Sequence, residues 1–331
     1  MFQVDPDIRR AKTLPSEFYT DERFFALSRE NIFARTWQFA GRVADLVTLT
    51  PLELLGEPLL LVRDTGGVRC MSNVCTHRGK ILVEEACDAN LVRCGYHGRR
   101  FSLDGKFLSM PEFEGVENFP TDADDLAAVA AGEEGGFAFV SLDPVADLSE
   151  FASDDAMQPL GSGELKLTST REYRVKAHWA LYCENYLEGF HIPFVHKSLN
   201  EVVDYGTYST DLLRYSSVQT GYDAAGNIAG RYVFVFPNMM FNFYPWGVSV
   251  NVVRPVSVSE TLVEFLTYVS DESLVGEGAG GDLHRVEMED EAVVESVQKG
   301  IRSRYYSHGR YSPTREQGTH HFHRLIAEFL S

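Results

Sequence analysis

No stretch of this 331-residue sequence approaches the roughly 20 consecutive apolar residues of a membrane-spanning helix, so a helical span is excluded. Basic side chains are scarce as well. Thirty Lys and Arg stand against 48 Asp and Glu, and the net charge of -18 repels a nucleic-acid backbone or an anionic membrane surface. The opening segment, MFQVDPDIRRAKTLPSEFY, is charged and lacks an apolar core of signal-peptide length. The expectation is a cytoplasmic protein with neither nucleic acid nor membrane as a partner. Cysteine is sparse and odd in number, five residues at 70, 75, 87, 94 and 183, which argues against a disulfide framework and leaves metal ligation as the better use for some of them. A Gly-rich dinucleotide fingerprint is missing too, so a nicotinamide site of that kind must lie on another protein.

What is present is enough for two domains of ordinary size: 44% apolar and 12% aromatic residues supply real cores. Phe25, Ile32, Phe33 and Trp37 recur at helical spacing in DERFFALSRENIFARTW, which predicts an amphipathic helix. From Gly41 to about Asp143, β-rich runs such as EPLLLVRD, LVRCGY and GFAFVSL alternate with Gly, Asp and Asn turns, the pattern of a small all-β domain. VADLSEFASDDAMQPLGSGE reads as a linker or a solvated loop. Beyond Lys166 come a β run (KLTSTREYRVKA), a helix (HWALYCENYLEGF), the strands RYVFVFPNMMFNFYPWGVSVNVVRP and TLVEFLTYVS, a long helix from Asp282 to about Ser303 and a shorter one near the end. The expected class is α+β, with boundaries at 1–37, 38–150 and 151–331.

The segment CTHRGKILVEEACDANLVRCGYHG carries Cys75-x-His77 and Cys94-x-x-His97, so each of two tips offers one sulfur and one nitrogen. Cys75 and Cys94 on one iron, with His77 and His97 on the other, is the Rieske [2Fe-2S] pattern. Neutral imidazoles in place of two thiolates raise the cluster potential to about -150 to +300 mV, against about -400 mV for an all-Cys plant-type cluster. Structural zinc sites pair like with like, as C-x₂₋₄-C and H-x₃₋₅-H, and match less well. Cys70, Cys87 and Cys183 are read as small buried apolar residues.

A second candidate centre lies in ENYLEGFHIPFVH, Glu184 to His196. His191 and His196 would stand about 140° apart on an unbroken helix, but Pro193 between them ends or distorts it and frees both imidazoles to turn to one point. In EMEDEAVVESVQKGI, positions 290, 293, 294, 297 and 301 form one stripe in which Asp290 is the polar exception, whereas Glu287, Glu291 and Glu295 fall mostly off it. A carboxylate heading an apolar face needs compensation, and Fe(II) shared with two imidazoles supplies it, as in the facial triad. An ordinary solvated Asp near a helix N-terminus is the alternative.

With both sites located, the chain resembles the α subunit of Rieske non-haem iron oxygenases of the aromatic-ring-hydroxylating type. Lys80 and Tyr96 occupy the places where respiratory Rieske proteins carry an extra Cys pair, so the tips look like the oxygenase kind. ENYLEGFHIPFVHKSL, MMFNFYPWGVSVNVVRP and ESVQKG are most similar to the choline, glycine betaine and carnitine monooxygenase group. The resemblance implies a [2Fe-2S] cluster, a mononuclear Fe(II) and a helix-grip catalytic domain, an antiparallel sheet with a long C-terminal helix. It also implies a homotrimer in which the cluster of one subunit serves the iron of the next, with Glu188 as the acidic bridge between the two sites. Asn185 joins Glu188 as a catalytic candidate. Arg99, where Trp often follows the second His-Gly, and His178-Trp179-Ala180, where Asn-Trp-Lys is common, are departures from the family pattern.

The implied reaction uses O₂ and NAD(P)H-derived electrons, delivered by a flavin and iron–sulfur reductase or a ferredoxin, to hydroxylate or oxidatively N-demethylate a small molecule. Arg78, Lys80, Arg93, Arg99, Arg100 and Lys106 either steer an acidic electron donor to the tips or are scattered surface cations. Tyr244 and Trp246, on one face of FNFYPWGV with Asn242, suit a quaternary ammonium by cation–π attraction, an aromatic acid, or plain core packing. His320, His321 and His323 read as helix-surface histidines. An electron carrier using the Rieske domain alone is the competing reading from another class.

Overall fold

The computed structural model describes residues 2–196, 208–223, 225–276 and 283–331, which divide into two compact units. One is Phe33–Leu148; the other joins Met1–Ile32 to Ser149–Ser331. Within the predicted N-terminal helix the regular turns end at Asn31, so Phe33 and Trp37 belong to the first unit and Phe25 to the second. No helix among the described residues is long and apolar enough to cross a membrane.

The first unit is all β. Its antiparallel sheet runs in the order Gln38–Arg42, Phe137–Ser141, Ala128–Glu134, Gly67–Ser72, Glu57–Asp64, Leu49–Leu54, and Val92–Arg93, Arg100–Phe101 and Phe107–Ser109 make a smaller one. The strand expected at LVRCGY shrinks to two residues because the chain turns at Cys94. Alternation divides the buried side chains between two faces: Leu60, Val62 and Met71 pack with Cys75 and Cys94, and Leu59, Leu61 and Cys70 pack with Ala138 and Val140.

The second unit is a seven-stranded antiparallel sheet ordered Lys166–Val175, Glu260–Val269, Gly247–Ser257, Met239–Tyr244, Ile228–Val235, Ser216–Tyr222, Ser209–Leu212. The last two strands were not anticipated, since Ser, Thr and Gln dilute their apolar period. Met239–Tyr244 is buried along both faces, so alternate residues serve different partners. Strand register aligns Gln219 with Tyr232, Tyr232 with Asn242 and Asn242 with Ser249, a polar row across four strands.

Helices Trp179–Tyr186, Leu283–Gly300 and Gln317–Phe329 complete this unit. The long helix stops at Gly300, short of the expected Ser303, and Asp282 lies outside the described residues. Its buried side chains are Glu287, Val294 and Gln298, followed by Ile301 beyond its end, while Val297 is 43% exposed. Hence the expected apolar stripe is rotated, and Glu287 lies inside it rather than off it. The histidines of the last helix are corrected as well: His320 and His323 are buried, because the N-terminal segment covers this helix and Asp5 offers His320 a carbonyl at 2.8 Å.

Candidate metal centres

The two tips of the first unit repeat one backbone design. Cys75 N–H donates to the Lys80 carbonyl and Cys94 N–H to that of Arg99, both at 2.8 Å. The amides of Gly79 and Gly98, four residues after each Cys, return to the Cys75 and Cys94 carbonyls at 2.9 and 3.1 Å. Both glycines have positive φ, 71° and 76°, a conformation that a Cβ would strain. Asn73 pins the first tip by exchanging hydrogen bonds with the Val83 backbone at 2.7 and 2.9 Å.

This design sends the donor types in opposite directions. Cys75 and Cys94 are each 2% exposed and their thiols lie within hydrogen-bonding reach of one another, whereas His77 is only half-buried and His97 is exposed. Burial raises the Cys75 thiol; for Cys94 burial acts upward too, but the amides of Tyr96 and His97, the Cys75 thiol and the Lys80 charge bring it below its ordinary value. His77 is lowered by partial burial and by His97 beside it. The two imidazole Nδ1 atoms face each other at 3.2 Å, and nitrogens each about 2 Å from a single ion lie about that far apart. Two inner sulfurs and two outer nitrogens on free side chains fit a cluster whose two irons differ in ligands.

Two neighbours differ from expectation. Arg99 is 2% exposed, bound to Asp124 at 2.7 Å and set 4.8 Å over the Phe107 ring, so it is a buried pair partner and not a surface cation. Its guanidinium fills a slot walled by Phe101, Phe107 and Phe119, as a large flat side chain does. Cys87 is exposed, because it sits on an isolated bridge to Leu49 at the unit's surface, whereas Cys70 and Cys183 are buried as expected. Lys80 pairs with Glu84 and Lys106 with Asp125; Arg78, Arg93 and Arg100 are exposed.

In the second unit the helix Trp179–Tyr186 ends five residues before His191, and a single turn, Ile192–Val195, carries Pro193 in its first positions, where no amide partner is lost. His191 caps that turn at its start and His196 at its end. Both imidazoles meet Asp290 from the long helix: His196 Nε2 is 3.0 Å and His191 Nε2 3.6 Å from Asp290 Oδ1, and the three ligand atoms lie within 4.8 Å of one another. Asp290 lies about two turns inside its helix, away from the end where a macrodipole would account for it.

The far side of each imidazole is also held. His191 Nδ1 lies 2.8 Å from Glu188 Oε1, and His196 Nδ1 lies 2.8 Å from Glu289 Oε2. A carboxylate on Nδ1 fixes the tautomer that leaves Nε2 as the ligating nitrogen. Glu188 in turn accepts from the amides of Phe190 and His191. Asn185 donates to Asp290 Oδ1 at 2.6 Å. His196 is 1% exposed; burial works against its charge, but Asp290 and Glu289 outweigh that and raise it. Two imidazoles and one carboxylate, each anchored from behind, fit a facial iron triad.

Sequence reasoning missed Glu289 and the layer behind the helix. Glu289 precedes Asp290 in a run of acids and nothing in its spacing distinguishes it. Behind Asn185, Glu184 accepts from Tyr19 Oη at 2.7 Å and lies 3.0 Å from His323 Nε2, whose Nδ1 is 2.5 Å from Tyr311 Oη. His323 is therefore a buried support of the site helix.

A cavity of about 880 Å³, its mouth included, opens on the triad. Tyr182, Tyr186, Tyr208, Tyr232, Tyr244 and Phe265 supply aromatic wall, and Asn242, Ser249, Asn251 and Gln219 supply a polar floor from the sheet. Of the three substrate candidates Tyr244 and Asn242 line it, but Trp246 does not: it stacks behind Tyr244 with centroids 5.0 Å apart, because the chain turns at Pro245. Glu287 lines it as well, and burial pushes its carboxyl up to about 8.

Residues 36–120 match the Rieske [2Fe-2S] domain and residues 205–331 the ring hydroxylating alpha subunit (catalytic domain). The chain is 31% identical to choline monooxygenase, chloroplastic, of Arabidopsis thaliana, over 98% of this chain and 85% of that protein. It is also 31% identical to the carnitine monooxygenase oxygenase subunit of Escherichia coli (strain K12), over 97% and 94%. The crystal structure of the quaternary ammonium Rieske monooxygenase CntA in complex with L-carnitine superposes with a TM-score of 0.82 at 26% identity, over 99% of this chain and 97% of that one. Naphthalene 1,2-dioxygenase, at 18% identity and a TM-score of 0.75, shares the fold.

Proposed function

Because the chain belongs to the α subunits of Rieske non-haem iron oxygenases, we propose that it hydroxylates or oxidatively N-demethylates a quaternary ammonium compound, using O₂ and electrons that originate in NAD(P)H. The observation that carries this reading is the cavity: aromatic faces and carboxylates surround the His191, His196 and Asp290 corner, and no Lys or Arg is among its described lining residues. Aromatic faces attract a cation through their quadrupole, whereas an aromatic acid would meet no Lys or Arg among the described lining residues. An electron carrier lacking oxygenase activity leaves the match at 205–331 without a purpose.

The cofactors that go with the two domains are a Rieske [2Fe-2S] cluster, on Cys75, His77, Cys94 and His97 in this proposal, and mononuclear iron, on His191, His196 and Asp290. When bound, the cluster supplies single electrons and the ferrous ion supplies the site of O₂ chemistry. The remaining work falls to the chain. Glu188 and Glu289 hold the imidazoles by Nδ1 so that both Nε2 lone pairs converge. Asn185 restrains the Asp290 carboxylate. Ile192, Leu283, Val286 and Phe265 keep water from the apolar side of the cavity.

A flavin and iron–sulfur reductase or a ferredoxin delivers the electrons, and the exposed Arg78, Arg93 and Arg100 near the tips give an acidic donor a landing charge. A homotrimer and a cytoplasmic location belong to the same proposal, with Glu188 linking the cluster of one subunit to the iron of the next. Its contact with His191 Nδ1 supports that role.

The test is substrate-dependent O₂ consumption with a matched reductase and NADH, across choline, glycine betaine, L-carnitine and benzoate. Uptake with at least one cation, alongside about three irons per chain, is expected. Uptake with benzoate alone would overturn the cationic reading.

A further inference from the structure

Glu287 is 4% exposed on the cavity wall, one turn before Asp290. Glutamate is almost never so buried without a partner. Here Oε2 accepts the Tyr182 hydroxyl at 2.6 Å, while Oε1 is buried with no hydrogen-bond partner among the described residues. A half-satisfied carboxylate is costly, and one kept at the wall of a binding cavity calls for a ligand that completes it.

The rest of the lining shows what that ligand carries. Of its five tyrosines, Tyr182 donates to Glu287, Tyr186 to Asn242 Oδ1 at 2.9 Å and Tyr208 to Gln219 Oε1 at 3.3 Å, while Tyr232 and Tyr244 bond each other. Gln219 spends an amide hydrogen on the Tyr186 carbonyl, Asn242 one on that of Ser249, and the Ser249 hydroxyl goes to Asn251 Oδ1. Most of these hydroxyls and amides spend a hydrogen inside the protein, and Glu287 offers the wall an open carboxyl oxygen that a bound cation draws into its charged form. Such a lining attracts a cation and rejects a second carboxylate.

We propose that Glu287 is the counter-charge of the substrate cation, and that the substrate is an onium compound bearing no carboxylate of its own, of the amino-alcohol type rather than a betaine. This deepens the reading of the cavity as a quaternary ammonium site and rests on it. Glu287 is then a binding residue that contacts the substrate, and the aromatic faces of Tyr186, Tyr208 and Tyr244 set the shape around the charge.

The experiment is anaerobic calorimetric binding to the reconstituted enzyme, with choline, its uncharged isostere 3,3-dimethylbutan-1-ol, and glycine betaine as probes. Wild type should prefer choline over the isostere, and over glycine betaine, by about tenfold or more, and Glu287→Gln should shrink the first preference to about threefold or less. Glu287→Asp, which keeps the charge, should restore part of it. The visible spectrum and iron content establish that each variant is folded and loaded. If choline binds but its preference over the isostere survives in a folded Glu287→Gln variant, the counter-charge assignment fails while the quaternary ammonium reading stands. Glycine betaine binding as tightly as choline overturns the exclusion of carboxylates, and failure of choline to bind wild type overturns the amino-alcohol assignment, while the quaternary ammonium reading falls only if L-carnitine also fails in the O₂-consumption test.

Discussion

At the tips of the Rieske unit the sulfur donors are buried and the imidazoles face outward, while at the other centre His196 is 1% exposed and the imidazoles are clamped between carboxylates. The supports differ in kind as well. The amides of His77, Arg78, Tyr96 and His97 bond the two thiols, so the main chain itself fixes that donor set. The facial triad relies on side chains, Glu188, Glu289 and Asn185, which come from two segments about a hundred residues apart in sequence. A site built on backbone turns resists single substitutions around it, whereas one built on side chains can be loosened one partner at a time.

The sharpest separation of the two comes from Asp290→Ala. Removing the carboxylate of the proposed triad should lower O₂-coupled turnover by at least ~10³-fold, since no second group of this kind occurs among the described residues. The tip residues are untouched, so iron should fall from about three to about two per chain with the visible spectrum of the cluster intact. Loss of the cluster in this variant would show that the two centres are not independent in assembly.

Asp124→Asn probes the Rieske unit at a point where side chains, not the main chain, carry the support. Arg99 is buried against three Phe rings and Asp124 is its ion-pair partner, so removing that charge strands a buried guanidinium at a cost of about 3–5 kcal/mol. The pair also gives a pH signature. Asp124 is lowered by Arg99 and by the Thr121 amide, so its contribution is complete above the ordinary carboxylate range and is lost as pH falls through the depressed value. Thermal melts followed by cluster colour should therefore show the gap between wild type and Asp124→Asn constant at neutral pH and closing in acid. A gap that widens in acid would contradict the pairing.

The same contrast explains which parts of each centre are legible in the sequence alone. Cys75-x-His77 and Cys94-x-x-His97 are local patterns, because one turn delivers both donor types, and the glycine four residues after each Cys is a sequence-level trace of that turn. Asp290 was reachable only through helix periodicity. That signal was offset in phase: it placed Val297 inside and Glu287 outside, and both are reversed in the fold. Periodicity assumes that burial follows hydrophobicity, and a helix lining a polar cavity breaks that assumption. For the same reason His323 was mistaken for a surface residue, since its partners Tyr311 and Glu184 arrive from distant segments. Trp246 was assigned by strand alternation across a turn where alternation no longer holds.

Glu289→Gln carries the smallest expected effect and tests the claim that the triad is held from behind. The glutamine carbonyl can still accept from His196 Nδ1, so the tautomer survives while the negative charge that strengthens the imidazole as a ligand does not. Arg285, which also contacts Glu289, is 58% exposed in its side chain, and losing that pair costs little. Iron affinity measured by chelator competition should weaken by about tenfold, near the lower end of what outer partners contribute, while turnover at saturating Fe(II) stays close to wild type. The thiols of the tips are bonded by main-chain amides, and the partners of Glu289 are His196 and Arg285, so the cluster should be indifferent to the change. If affinity is unaltered, Glu289 is merely an acid that lies near His196, and the contrast between a backbone-held and a side-chain-held centre narrows to Glu188 and Asn185.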